Sequence, residues 1–252
     1  MYTKNEIISK IKNDINDVII LEETDSTNNY LKTNIDSLKP NTVIIAKKQS
    51  SGRGRRGRSF ISPEGGLYLS ILIDTDGNIN ASSYPTVIAA VAVIRSIEEC
   101  FGIPCAVKWV NDIYIDNKKL SGILCETTAI ENRIIIGIGI NVITPPNGFS
   151  KEIADIATSL SDHVQINDLS KFIARLYDNI AMFAPAFDIK SVINEYRDKS
   201  CVINKEISVF KNGTILNAKA LEITDSASLV IEYPDRTTET LFYGDISVKL
   251  NV

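Results

Sequence analysis

Residues 106–141 read AVKWVNDIYIDNKKLSGILCETTAIENRIIIGIGIN, and the punctuation of this stretch decides the architecture. Short runs rich in Ile, Val and Leu are separated by polar breaks, the pattern of consecutive strands. It predicts strands at Ala106–Trp109, Asp112–Ile115, Leu120–Glu126 and Arg133–Ile140. Asp116-Asn117 suits the tight turn of a hairpin between the second and third.

Upstream, strands are expected at Val18–Glu22, Thr42–Lys47 and Gly66–Ile73. Ile7, Ile8, Ile11 and Ile15 follow helical spacing, which predicts a surface helix over 4–16. Asp25 or Ser26 caps a helix carrying Tyr30, Leu31, Ile35 and Leu38. Residues 85–101, rich in Ala, Val and Ile, read as a buried helix, and 168–182 and 188–199 also read as helices.

Beyond about residue 203 the pattern changes. Strands at Glu206–Phe210, Ile215–Ile223, Ser228–Tyr233, Glu239–Phe242 and Asp245–Leu250 follow one another, with turns at Asn212-Gly213, Asp225-Ser226 and Pro234-Asp235. This is the pattern of a small β-barrel. A boundary is therefore placed after residue 202, dividing the chain into 1–202 and 203–252.

Composition excludes several classes. No apolar run is long enough to span a bilayer, and the start, MYTKNEIISKIKND, lacks the apolar stretch of a secretory leader. Cys100, Cys105, Cys125 and Cys201 form no C-x-x-C pair and sit among apolar neighbours, as reduced cytoplasmic thiols do. The single histidine, His163, makes a zinc site improbable. A net charge of −4 argues against general nucleic-acid affinity. It conceals one basic loop: Lys47, Lys48, Arg53, Arg55, Arg56 and Arg58 lie close together with no acid among them. Such a loop in an acidic protein is expected to handle a small anion or a few phosphates.

Four segments carry chemistry. In Gly52-Arg53-Gly54-Arg55-Arg56-Gly57-Arg58 the glycines admit close backbone approach and the guanidiniums offer forks for phosphate or carboxylate. A solvated loop or an RNA contact fits the same composition. Lys108-Trp109-Val110-Asn111-Asp112-Ile113, followed by Lys119-Leu120-Ser121-Gly122, brings Asn111, Asp112 and Lys119 together across a hairpin, which on its own is equally a plain hairpin with charges on its wet face. Gly137-Ile138-Gly139-Ile140-Asn141 permits either close backbone packing or a flat ring lying on the strand. Asp25-Ser26-Thr27-Asn28 reads as a helix cap whose polar groups can also reach a ligand.

Together these segments resemble the biotin–protein ligase family. The matching stretches are DSTNNYL at 25–31, AKKQSSGRGRRGR at 46–58, GLYLSIL at 66–72, KWVNDI at 108–113, KKLSGIL at 118–124 and GIGINV at 137–142, and Tyr243–Ser247 resembles the family's closing strand. The resemblance covers nearly the whole chain. It implies an α+β fold: a mixed sheet flanked by helices, like the class II aminoacyl-tRNA synthetase catalytic domain, followed by an SH3-like barrel. It implies that ATP activates biotin to biotinyl-5'-AMP, with Mg²⁺, and that biotin then passes to a lysine of a biotin carboxyl carrier domain of a biotin-dependent carboxylase. Biotin is expected at Ser26, Thr27, Asn28, Gln49, Arg53, Gly54, Arg55, Lys119 and Gly122. The nucleotide is expected at Arg53, Arg55, Arg56, Arg58, Phe60, Lys108, Trp109, Asn111, Asp112 and Asn141, with Lys119, Arg55 and Asp112 as the catalytic groups and Asp112 as a Mg²⁺ ligand.

Phe60 stands where many relatives carry tryptophan, and Val110 replaces the proline of KWPND. The motif at Asp25 starts too early for the DNA-binding domain some relatives carry, so an enzyme-only, monomeric or dimeric cytoplasmic form without operator binding is expected. The nearest rival is a lipoate–protein ligase, whose R-R-x-S-G-G-G motif is absent; a rival of another class is an RNA-binding module using the basic loop.

Overall fold

The alternating Ile, Leu and Val residues build a seven-stranded mixed sheet in the computed structural model, which describes residues 2–75, 83–181, 188–211, 213–242 and the backbone of 247–250. In chain order its strands are β1 (Asp17–Thr24), β2 (Thr42–Gln49), β3 (Gly66–Asp74), β4 (Ala106–Lys108), β5 (Asp112–Ile115), β6 (Lys118–Thr127) and β7 (Arg133–Asn141). They lie in the order β1-β2-β3-β7-β6-β5-β4; β1 and β2 are parallel and every other pair is antiparallel. Asp116 and Asn117 both take positive φ (48° and 62°), the conformation of a hairpin turn that matches strand twist.

One sheet face carries α3 (Tyr84–Phe101), an almost wholly buried helix ended by Gly102 at φ 70°. The helices α4 (Leu169–Ala181) and α5 (Ile189–Asp198) pack against α3. The opposite face carries α2 (Thr27–Thr33), which seats Leu31 on Ile44, Leu72 and Ile135. Ser26 is its N-cap. The helix stops at Thr33, short of Ile35 and Leu38, which still pack beneath it after the chain turns at Asn34.

The expected helix over 4–16 is the clearest departure. Only Lys4–Ile8 (α1) is helical, held by a Thr3–Glu6 capping box. Beyond it the backbone N–H groups of Lys12 and Asn13 donate to the Asp178 carboxylate. A tertiary acceptor has replaced the helical one, and periodicity alone carries no sign of it.

The C-terminal segment forms β8 (Glu206–Lys211), β9 (Thr214–Ile223), β10 (Leu229–Glu232), β11 (Thr238–Leu241) and β12 (Ser247–Leu250), an antiparallel sheet in the order β11-β10-β9-β8-β12. Among the described residues β11 and β12 are its two edges, and the pairing that would close the expected barrel is not seen. Tyr243–Ile246 of the expected closing strand, and Asn212 of an expected turn, lie outside the described residues.

The two sheets share one hydrophobic cluster, which runs from Val107 and Trp109 to Ala218, Ala227 and Leu229. The indole N–H of Trp109 donates to the Ala227 carbonyl at 2.9 Å, and the Arg197 guanidinium to the Ile223 carbonyl at 2.5 Å. No helix among the described residues is long and apolar enough to cross a membrane.

Candidate active site

Strand register places the cavity. Three rows cross the α2 face of β3, β7 and β6: Leu72–Ile135–Glu126, then Ser70–Gly137–Leu124, then Tyr68–Gly139–Gly122. Along β7 the side chains on this face run Ile135, Gly137, Gly139, so the packing under α2 gives way to bare backbone. There a cavity of about 160 Å³ opens, covered by the arginine loop.

Both readings of the G-x-G pattern hold, one at each glycine. A Cβ on Gly137 would sit 2.2 Å from Asn28 Oδ1, so this glycine admits the helix α2 side chain onto the sheet. A Cβ on Gly139 would sit 2.5 Å from the Phe60 ring, which lies over Gly139 and Gly122 and meets Tyr68 edge to face at 6.4 Å. A flat ring does rest on the strand, and here it is the loop's own phenylalanine.

The loop folds as an irregular hairpin. Gly54 N–H donates to Arg58 O at 2.7 Å, Arg53 pairs with Ser59, and Gln49 pairs with Ser62. Its arginines reach different walls. Arg53 spans to Asn29 on α2 and Glu126 on β6; Arg55 donates to Asn111 Oδ1 at 3.3 Å. Asn111 is itself clamped to β6, because its Nδ2 donates to the Ile123 carbonyl and its carbonyl accepts from Ile123 N–H, both at 3.0 Å.

At the far wall, Lys119 Nζ lies 2.7 Å from Asp112 Oδ1 and 5.7 Å from the Phe60 ring centre. Asp112 Oδ1 is buried and its partner is this ammonium; no other oriented hydrogen bond reaches it. The Lys119 backbone is held on both sides, by Ile156 O and Thr158 N–H. Burial lowers the Lys108 pKa, and the neighbouring charges of Lys119 and Arg58 act in the same direction while Asp112 opposes them. Six cationic side chains and one carboxylate line the cavity: Arg53, Arg55, Arg56, Arg58, Lys108, Lys119 and Asp112. Such a surplus of fixed positive charge needs an anionic guest.

The polar end is built from amides. Thr27 N–H donates to Gln49 Oε1 at 2.9 Å, and Gln49 Nε2 donates to Ser62 Oγ at 2.9 Å. Asn28 Nδ2 donates to Leu124 O and to Glu126, and Ser70 Oγ lies 2.5 Å from Asn28 Oδ1. Ser26, Thr27 and Asn28 are each at least 96 % buried, with relative exposures of 2 %, 4 % and 4 %.

Every expected site residue but one lines this single cavity. The exception is Asn141: its Nδ2 donates to the Thr158 carbonyl at 3.0 Å, tying β7 to the segment that flanks Lys119. Trp109 reaches the cavity wall, yet its indole N–H is committed to Ala227. Asp112, the expected magnesium ligand, is ion-paired with Lys119. It is the only carboxylate in the lining, and no group of three acidic, His or Cys residues gathers anywhere among the described residues. Magnesium at a nucleotide site takes one or two protein carboxylates beside the phosphate oxygens, so Asp112 is the one residue of the lining that would hold it.

Sequence reading missed Glu126, Ser70 and Thr158. Glu126 was within reach, since positions 122, 124 and 126 of a strand share one face. Ser70 and Thr158 carry no sequence signal of their own.

Residues 20–141 match the model of the biotin/lipoate A/B protein ligase family. The bifunctional ligase/repressor BirA of Bacillus subtilis is 44% identical over 146 residues, covering 56% of this chain and 44% of that protein. The biotin–[acetyl-CoA-carboxylase] ligase of Mycobacterium tuberculosis is 28% identical over 213 residues, covering 81% of this chain and 77% of that protein. The chain thus spans under half the length of the ligase/repressor relatives it matches. Among solved structures, the biotin protein ligase of Aquifex aeolicus in complex with biotin and ATP superposes with a TM-score of 0.78 at 29% identity, covering 93% of this chain and 99% of that one.

Proposed function

We propose that the chain, whose residues 20–141 match the model of the biotin/lipoate A/B protein ligase family, is a biotin–protein ligase, converting biotin and ATP to biotinyl-5'-AMP and then biotinylating a lysine of a carrier domain. The observation that carries the reading is the polarity of the cavity: uncharged amides and hydroxyls at one end, a cluster of cations at the other. The amide end suits a neutral ureido ring; the cationic end suits a carboxylate meeting a triphosphate.

In this reading the ureido group binds at Ser26, Thr27, Asn28 and Gln49, and the valeryl chain lies along Gly122 and Gly139 after Phe60 swings off the glycine ledge. The biotin carboxylate then meets the α-phosphate beside Lys119, with Arg53, Gly54 and Arg55 closing over both. Two anions repel at this point. A fixed ammonium and two guanidiniums offset the repulsion and stabilise the charge that builds on the phosphorus oxygens. The carboxylate oxygen bonds to the α-phosphorus and pyrophosphate leaves. Arg56, Arg58 and Lys108 hold the phosphates, while Phe60 and Trp109 flank the base. In the second step the acceptor amine attacks the acyl carbon, AMP leaves, and Asp112 takes the amine proton after Lys119 turns toward the nucleotide. Asp112 would be the protein's contribution to holding a Mg²⁺ with the triphosphate, and such an ion would neutralise the departing pyrophosphate.

The division at residue 202 and the reading of the C-terminal sheet as an SH3-like module are part of this proposal. So is a reducing, cytoplasmic setting, which suits four free thiols. The test is transfer of labelled biotin to a biotin carboxyl carrier domain, with ATP omitted in one arm and lipoate replacing biotin in another. ATP-dependent labelling by biotin alone is expected; labelling by lipoate alone overturns the choice of substrate.

A further inference from the structure

Glu126 is not among the residues that line the cavity, yet its carboxylate joins three donors of the site's framework. Its carboxylate accepts from Asn28 Nδ2 at 2.8 Å, from Lys32 Nζ at 2.6 Å and from Arg53 Nη1 at 3.2 Å. The three donors come from the buried start of α2, its outer face and the arginine loop. The group is largely enclosed, with 14 % of its side chain exposed. Burial would raise its pKa, but the hydrogen bonds from Lys32 and Asn28 and the charges of Lys32 and Arg53 prevail and hold it below the usual glutamate value. It is therefore an anion at neutral pH, able only to accept.

That one-way character matters because an amide can face either way. Glu126 and the Leu124 carbonyl are both acceptors, so Asn28 must present its nitrogen to them and its oxygen to the other side. There Ser70 gives its one hydroxyl proton to Asn28 Oδ1 at 2.5 Å, so at the 2.7 Å contact with Thr27 Oγ1 the donor is Thr27. Gln49 is oriented separately, by the backbone N–H of Thr27, which donates to Gln49 Oε1 at 2.9 Å. Gln49 must then turn its nitrogen to Ser62, which donates to the Phe60 carbonyl at 2.8 Å. A relay thus runs from Glu126 through Asn28 and Ser70 to Thr27, and the acceptor at its head sets which atom Asn28 shows to the cavity. The same carboxylate anchors Arg53 of the arginine loop.

We propose that Glu126 is a positioning residue for biotin recognition: its charge fixes the amide orientation of Asn28 and tethers Arg53, so that the ureido end meets one donor–acceptor pattern. This rests on the biotin–protein ligase reading. A neutral isostere keeps the shape and loses the constraint, because a glutamine can donate as readily as it accepts.

The test compares wild type, Glu126→Gln, Ser70→Ala and the double variant in biotin titrations and in pyrophosphate release with biotin and ATP. Wild type must release pyrophosphate in a biotin-dependent way; if it does not, the ligase reading falls and this proposal is not what failed. Given that activity, Glu126→Gln should raise the biotin Kd about 10- to 100-fold, the scale of a charge-assisted hydrogen bond. The KM for ATP should stay within about twofold, since a loosened fold would move both. Ser70→Ala interrupts the relay without touching the carboxylate. It should also weaken biotin binding, and the double variant should lose less than the product of the two single losses, as coupled sites do. A wild-type biotin Kd in Glu126→Gln, or fully multiplicative losses in the double variant, overturns the proposal.

Discussion

Lys119→Met separates the lysine's structural role from its catalytic one. In the folded protein Lys119 is the ion partner of Asp112 at 2.7 Å, with 30 % and 21 % of the two side chains exposed. Removing one member of a fully buried pair costs about 3–5 kcal/mol, because the orphaned charge stays buried. Partial exposure lets water reach this pair, so about half of that, ~2 kcal/mol, is expected for Lys119→Met. Asp112→Asn in the same chain removes the orphaned charge and should recover most of the loss. Catalysis should behave differently. Loss of one preorganised charge at the point where carboxylate meets α-phosphate costs about 10²–10³ in rate, and Asp112→Asn cannot restore it. The assays are urea unfolding for stability and pyrophosphate release for adenylation. Two-step recovery, stability regained and activity not, is the expected result. If the double variant regains both, Lys119 serves only to neutralise Asp112 and the assignment of the lysine to the reaction is wrong.

Three further outcomes follow from the geometry. Trp109→Phe removes the donor of the buried bond to the Ala227 carbonyl and should cost about 1–3 kcal/mol in urea unfolding; truncation after residue 202 should do worse, and unchanged stability in both would mean the C-terminal sheet is not integral to the site wall. Trypsin should cut within Arg53–Arg58 faster in the free protein than with biotin and ATP, and Arg55→Gly should release adenylate that labels bystander lysines; equal cleavage rates, or full retention by the variant, would refute the closing role of the loop. Glu126 has a folded pKa below 4.5, so the unfolded chain binds more protons between the two values, and its contribution to stability is present above about pH 4.5 and lost as pH falls through the folded value. The stability gap between wild type and Glu126→Gln should therefore shrink on acidification below that point; a gap independent of pH would show that the carboxylate is not selectively stabilised in the fold.

What the sequence determined by itself is what local pattern encodes. The strands at 106–141, the positive-φ turn at Asp116-Asn117, the buried helix ending at Gly102 and the basic loop all follow from periodicity and turn chemistry acting over a few residues. The motif order was enough to collect nearly every residue that lines the cavity, because each motif sits on its own strand, loop or helix start. Tertiary structure alone decided the rest. Asp178 stopped α1 from a distance of more than 160 residues, Ala227 took the Trp109 indole, and Thr158 took the Asn141 amide. That Asp112 pairs with an ammonium turned on the 2.7 Å reach of Lys119 across the hairpin. Glu126 became the head of the amide relay because the β6–β7 and β3–β7 registers set it beside the row of Ser70 and Gly137, with α2 laid over that row. Hydrogen bonds and ion pairs act over about 3 Å, so their partners are chosen by which chain segments the sheet brings within reach, and no local pattern records that choice.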